Sequence, residues 1–384
     1  MYDTIVVGAG VAGAVIAGEL ARRGGEKVLV IERRKHIAGN CYDEYDEYGI
    51  MVHVYGPHIF HTSIERVREY FSEYTDWYDF GHEVHANVYG KIINVPFNLN
   101  TLHAVYDEEK AARLEDKLVK EYGFDSRIPI LTMKENPDEE IREVAEYVYE
   151  NIFLKYTMKQ WGKKPEEIDS SVTARVPVVI SRDNRYFGDK YQGMPLAGFT
   201  AMFEKILDHE NIHVQTGIDA KEVLEFKDDK IYYEGELFEG KVIYTGLTDE
   251  LFDYEYGHLP YRSLRFKFEH HKKESYQGCS VVNYTVDEDY TRITEFKYLT
   301  GQVNTPETTI VKEYPESYTG SNTPYYSINN EENDGMFAKY KAKADRYKGL
   351  YLLGRLAEYK YYNIDAIADR SLKLADELLK EEVH

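Results

Sequence analysis

The chain has 384 residues, 43% hydrophobic and 30% charged, with 11 Pro and 27 Gly. That composition predicts a globular protein of two or three domains and excludes collagen, coiled coil and wholesale disorder. The net charge of −21 repels phosphate polymers, so no nucleic-acid or anionic-membrane surface is expected, and an anionic ligand must meet a local basic pocket.

Two cysteines, Cys41 and Cys279, cannot build a disulfide framework or a four-thiolate zinc site, which points to the cytoplasm. At the N-terminus Asp3 precedes the apolar run and no basic segment does, so a signal peptide is not expected; nor does any stretch approach the roughly 18 apolar residues of a membrane span. In chain order, Ile5–Val7 reads as a strand, Ala12–Arg22 as a helix and Lys27–Ile31 as a second strand. Thr62 and Glu65 predict a capping box for a helix with Ile64, Val67, Phe71 and Tyr74 inward. Val84–Val95 alternates as a hairpin about Tyr89-Gly90. Residues 101–162 are largely helical, with Leu114, Leu118 and Tyr122 on one face. Asn136 is the expected N-cap of the next helix, whose apolar residues are Ile141, Val144, Ala145, Val148 and Ile152. Phe199–Leu207 has helical period, Ile212–Val214 reads as a strand, and a hairpin follows about Lys227–Lys230. Residues 264–311 suggest an antiparallel sheet. A strand at Leu350–Leu353 and a helix from Ile364 close the chain.

Gly8-Ala9-Gly10-Val11-Ala12-Gly13 follows a strand and opens a helix, and Glu32 ends the next strand. Gly8 allows the tight turn, Gly10 the approach of a pyrophosphate, and Gly13 close packing of helix on strand, while Glu32 can accept from a ribose hydroxyl. Arg33, Arg34 and the turn His36–Asn40 add a second glycine-bearing turn, similar to that of FAD proteins of the glutathione-reductase-like and amine-oxidase-like groups. The late Gly354-Arg355 and the helix start at Ile364 complete that pattern.

Four segments, Tyr55–Thr62, Lys155–Gly162, Tyr290–Glu295 and Gly354–Tyr361, together with Phe252–Tyr254 and Leu259–Phe266, resemble bacterial UDP-galactopyranose mutase over nearly the whole chain. The resemblance implies an α/β fold in which an FAD-binding Rossmann-like (glutathione-reductase-like) domain, over 1–80, 194–250 and 335–384, carries two further domains. These are a small helical bundle (100–162) and an antiparallel β-sheet substrate domain (81–99, 163–193 and 251–334). It implies an FAD-dependent isomerase interconverting UDP-galactopyranose and UDP-galactofuranose with no net redox change. Reduced flavin N5 attacks the anomeric carbon, UDP leaves, and the sugar ring opens through a flavin iminium and recloses. A reductant, such as NAD(P)H, and a homodimer are further implications.

Departing diphosphate calls for permanent charge in a planar fork, and Arg175 and Arg292 match the family's two diphosphate arginines. Tyr186, Tyr326 and Tyr361 match its phosphate-binding hydroxyls. Tyr156 and Trp161, with Phe153, match the uridine site, and Asn87 and Asn283 match secondary pocket positions. His61 is expected beside the flavin as a catalytic group that senses pH, with His58 and Ile59 as cofactor contacts; no metal is expected. The cofactor set is completed by Gly8, Gly10, Val11, Ala12, Gly13, Glu32, Arg33, Gly39, Asn40, Gly354, Arg355, Asn363 and Ile364. Ala38 stands where many relatives have glycine, harmless if its φ stays negative. Asn363 is a candidate cap for the last helix. Residues 172–193, Pro- and Gly-punctuated, are a candidate lid. The alternatives are an oxidase or desaturase of the amine-oxidase type, a mutase acting on a related nucleotide sugar, and a non-catalytic flavoprotein.

Overall fold

The computed structural model describes residues 2–161 and 177–381. Among these, no helix is long and apolar enough to cross a membrane. The chain forms two compact units, Met1–Asp79 with Asp189–Leu264 and Glu316–His384, and Phe80–Gly188 with Arg265–Pro315.

In the first unit a five-stranded parallel sheet runs Ile212–Thr216, Val28–Glu32, Thr4–Val7, Lys241–Tyr244, Leu350–Leu352. Val6 faces Val30 on one side and Ile243 on the other. Numbered along the chain, that order is 3-2-1-4-5, the Rossmann-like arrangement. The three central strands are almost wholly buried, which explains their near-continuous apolar runs in place of alternation. The order reverses beside Thr4–Val7, and a ligand crevice is expected at the carboxyl ends of the strands there. The helix Val11–Gly24 leaves that edge, and it packs on the final helix Ile364–Glu381. Gly24 allows the approach, since a Cβ there would stand 2.6 Å from Leu379.

The second unit builds an antiparallel sheet around Arg292–Glu295, which pairs with Val281–Tyr284 and with Thr308–Ser317. Val84–Val88 joins Val281–Tyr284 in parallel and hairpins back through Tyr89-Gly90. Helices Glu108–Tyr122 and Glu139–Val148 do not form a bundle apart from this sheet. Leu114, Leu118, Ile141, Val144 and Val148 share one core with Val84, Ala86, Ile93, Val95 and Val281. Helices and sheet thus close one core between them, within a single compact unit.

Two local expectations change, and one helix was not foreseen. Asn136 is not the cap of Glu139–Val148: Asp138 accepts from the amides of Glu140 and Ile141, while Asn136 accepts from the amide of Asp138 and donates to Glu121 and Tyr122. Thr62 does not form a capping box, because its hydroxyl accepts from the Ile64 amide two residues on. A 14-residue helix at Glu331–Ala344 carried no readable pattern; only Asn333, Tyr340 and Ala344 are buried, and Gly335 lies within it.

Two fully buried charges brace the second unit's sheet. Glu295 accepts from the amides of Tyr276 and Gln277 and from the Thr308 hydroxyl, each at 2.8 Å. Lys297 donates to the carbonyls of Glu274 and Thr305 at 2.7 and 2.5 Å. Lys297→Met keeps the volume but strands two buried carbonyls, so it is expected to cost about 2 kcal/mol. Urea unfolding of the variant against the parent measures this, and an unchanged midpoint would show that the ammonium contributes nothing net.

Candidate active site

A cavity of about 440 Å³ lies in the first unit at the predicted crevice, lined by the Gly8–Ala12 turn, Glu32–Arg34, Ala38–Asn40, His58, Gly354-Arg355 and Asn363-Ile364. Its floor is two turns pressed together. A Cβ on Gly39 (φ 56°) would stand 2.8 Å from Gly10 Cα, and one on Gly13 would stand 1.8 Å from the Gly8 carbonyl oxygen. Gly13 therefore serves packing, as expected, and neither it nor Ile59 lines the cavity. The Ala38 amide donates to the Ala9 carbonyl at 2.9 Å. Glu32, 7% exposed, accepts from the amides of Ala9 and Arg34, both at 2.8 Å. A carboxylate held this way keeps lone pairs for a ribose hydroxyl.

Ala38 departs from expectation: its φ is +69°, a left-handed conformation that costs a residue with a Cβ about 1–2 kcal/mol. The strain is held by the buried turn around it. Two basic groups meet the cavity differently. Arg33 is neutralised by Glu250 at 2.9 Å and Asp219 at 3.4 Å. Arg34, which was not among the expected cofactor contacts, donates to Asn40 Oδ1 and lies over the Tyr55 ring, 4.0 Å from its centroid. Its Nη1 is buried and has no hydrogen-bond partner among the described residues. A buried guanidinium nitrogen with an unmet donor fits an anionic dinucleotide. So does the glycine cradle, which a single Cβ would fill. Arg34 could have been found from its place two residues after the acidic residue, beside Arg33. Thr245-Gly246, also at the cavity, follows a parallel strand in the same way; a Cβ on Gly8 would stand 2.1 Å from Thr245 Oγ1.

The two histidines separate. His58 lines the cavity, its Nδ1 2.9 Å from the Gly56 carbonyl oxygen. Burial, with His53 adjacent, pushes its pKa down to about 3, so it is neutral at physiological pH and senses no proton there. His61, expected beside the flavin, does not line the cavity; its Nδ1 is 2.8 Å from Asp189 Oδ2. Asn363 holds the N-cap place by its backbone, accepting from the Ile367 amide at 3.1 Å.

Tyr326 and Tyr361 in the same unit stack, with ring centroids 5.8 Å apart. In the second unit the substrate candidates gather about Arg292. On neighbouring strands Asn283 and Glu313 both stand in register with it. Its Nε donates to Asn283 Oδ1 at 3.0 Å, its Nη2 donates to the Tyr156 hydroxyl at 3.3 Å, and its Nη1 is 4.0 Å from Glu313. Burial raises the Tyr156 pKa to about 12 against the opposing pull of Arg292, leaving a neutral donor. A π-helical stretch, Tyr149–Leu154, precedes the helix Lys155–Trp161. It resets the helical face between core and Tyr156, a change that spacing alone does not reveal. Phe153 is on the core side, 4% exposed beside Tyr149. Asn87 serves the hairpin, accepting from the Gly90 amide at 2.7 Å. Tyr186 packs edge-on to Phe187. Arg175, the Trp161 side chain and the first five residues of the candidate lid, 172–176, lie outside the described residues.

Gly39→Ala, with no space for its Cβ, is expected to abolish cofactor retention, whereas Ala38→Gly should keep it and hold or raise stability by up to about 1 kcal/mol. Bound-cofactor absorbance and thermal midpoints of the purified variants check both. His53, wholly buried, has its pKa pushed down to about 3 by burial. Between pH 6.5 and 3 the unfolded chain therefore binds the extra proton, and stability falls as pH drops through that window and is whole above it. His53→Gln should flatten this slope in urea titrations at pH 4 to 7; an identical slope would remove His53 as its source.

Comparison with known proteins agrees with this geometry. The UDP-galactopyranose mutase family model matches residues 151–361, and a model of NAD(P)-binding Rossmann-like domains matches 6–74. A probable UDP-galactopyranose mutase from Klebsiella pneumoniae is 37% identical, covering 98% of this chain and 94% of its own length. A dTDP-fucopyranose mutase from Escherichia coli is 36% identical, covering 99% of each. Among solved structures, a reduced UDP-galactopyranose mutase superposes with a TM-score of 0.72 at 16% identity, over 99% of this chain and 96% of that one. A putrescine oxidase superposes at 0.58 and 11% identity over 99% of each, so the fold is common to both and does not by itself separate isomerase from oxidase. The match across more than half the chain and the full-length identity to the curated mutases do separate them: the chain belongs to the UDP-galactopyranose mutase family and is a nucleotide-sugar mutase.

Proposed function

We propose that this enzyme interconverts UDP-galactopyranose and UDP-galactofuranose with FAD in its reduced form and no net oxidation of the sugar. The reading is carried by full-length likeness to proteins named UDP-galactopyranose mutase. Reduced flavin, when bound, supplies a nucleophilic nitrogen for the anomeric carbon. The protein's own residues do the rest.

Glu32 takes a ribose hydroxyl of the cofactor, and Arg34 an anionic group. His58, kept neutral, offers the flavin a hydrogen bond without adding charge. Arg292 and Arg175 receive the substrate diphosphate as it gains charge on leaving. Arg292 suits this because Asn283 already holds its Nε and so fixes the guanidinium plane. Hydroxyls of Tyr186, Tyr326 and Tyr361 are neutral donors for phosphate, and Tyr156 and Trp161 take the uracil. A second reading, favoured by the dTDP-fucopyranose mutase relative, is the same ring exchange on a 6-deoxy sugar carried by thymidine diphosphate.

Incubation with UDP-galactofuranose, with and without dithionite, tests the reaction. Pyranose should form only with reductant, and equal rates in the oxidised enzyme would remove the flavin nucleophile. dTDP-fucofuranose in parallel separates the two readings. Arg292→Lys is expected to lower kcat/KM about 100-fold, since a point charge cannot reproduce the fork, while cofactor absorbance stays unchanged.

A further inference from the structure

Arg355 occupies an unusual position between the nucleotide cavity and two tyrosines. It lines the cavity, yet its guanidinium is spent on protein. Nη1 donates to the carbonyl of Tyr325 at 3.3 Å and Nη2 to the carbonyl of Tyr362 at 2.5 Å. Those two residues adjoin Tyr326 on one side and Tyr361 on the other. The guanidinium carbon is 5.3 Å from the Tyr326 ring centroid and 4.9 Å from that of Tyr361. The two rings stack at an interplanar angle of 23°. Tyr326 comes from a two-residue strand paired with Tyr261-Arg262, and Tyr361 from the loop before the last helix. Arg355 thus holds the backbone beside each tyrosine and lies near both rings.

We propose that Arg355 is a positioning residue for substrate: its fork fixes the backbone beside each tyrosine and its charge attracts both rings, so the two hydroxyls are presented as one preorganised pair to a nucleotide diphosphate. The inference rests on the reading above that these hydroxyls bind diphosphate. Preorganisation raises affinity by removing the cost of ordering the side chains at binding. A planar fork can hold two carbonyls while its face meets aromatic rings; an ammonium can meet the rings but not hold that fixed geometry.

The test is a mutant cycle on flavin-loaded, full-length protein, with UDP affinity read by calorimetry and flavin content by absorbance. Its members are Arg355→Met, the double variant Tyr326→Phe/Tyr361→Phe, and their combination. Arg355→Met and the double variant are each expected to weaken UDP about tenfold, and the combination should be no weaker than either, since residues acting as a unit are not additive. Arg355→Lys should recover part of the loss. If the double variant weakens UDP but Arg355→Met does not, or if the losses multiply, the positioning role is overturned while the tyrosine assignment stands. If the double variant binds UDP like the parent, the tyrosine assignment itself fails and takes this inference with it. Should Arg355→Met not retain flavin, Arg355→Lys replaces it in the cycle under the same criteria, an unweakened UDP affinity or multiplying losses again overturning the role.

Discussion

The contact between the backbones of Gly10 and Gly39 governs the first unit. Neither turn can move away without breaking the Ala38-to-Ala9 hydrogen bond, and Gly39 cannot carry a Cβ, which would stand 2.8 Å from Gly10 Cα. Glu32 closes the same knot from the sheet side by accepting from an amide in each turn's neighbourhood. The cofactor cavity is the space these three constraints leave above the strand ends. That explains why a left-handed alanine is tolerated at position 38: the turn is held from both sides, and the strain of about 1–2 kcal/mol is small beside the packing that would be lost if it relaxed.

Electrostatics then select what enters. The chain as a whole is strongly acidic, so attraction at a distance does not bring an anion in. At the cavity Arg33 is matched by Glu250 and Asp219, whereas Arg34 keeps a buried donor unmet. Arg292 is oriented by Asn283 on its Nε, with Glu313 4.0 Å from its Nη1. A guanidinium oriented by an amide keeps its charge available in a way that a tight ion pair does not.

Much of this was legible in the sequence where one residue type has one physical use. The glycines of the first turn, Glu32 and the buried parallel strands could be read because tight turns, close backbone approach and double-sided burial each demand a narrow set of residues. Legibility failed where several residues could do the same work. Asn136 and Asp138 are both good caps, and only the three-dimensional course of the chain chose between them. The helix Glu331–Ala344 buries too narrow a stripe to leave a period. The π-helical stretch before Tyr156 and the left-handed Ala38 are set by tertiary packing, and neither departs from ordinary composition. Among the histidines, the family resemblance put His58 and His61 together at the flavin, but the strand Phe60–Thr62 sends His61 to Asp189 and leaves His58 at the cavity.

Family membership constrains the reaction more tightly than the sugar, and physical chemistry indicates how the sugar is decided. Galactose and fucose differ at C6, where one has a hydroxyl and the other a methyl. A pocket built to hydrogen-bond that hydroxyl leaves its own polar groups stranded when a methyl arrives, and such sites reject the analogue by about 10⁴–10⁵. An apolar pocket of the same size rejects the hydroxyl by only about 10². The two cases are thus unequal in kind: strong discrimination against the deoxy sugar requires a buried polar partner at C6, whereas weak discrimination in either direction requires only space. Asn283 and Asn87 are poor choices for that partner, since the oxygen of each is already engaged, by Arg292 in one case and by the Gly90 amide in the other. What remains to them is the amide nitrogen, a donor, which can serve a sugar hydroxyl only as acceptor. A site using them would hold the C6 hydroxyl through that one donor, and a methyl there would leave it stranded.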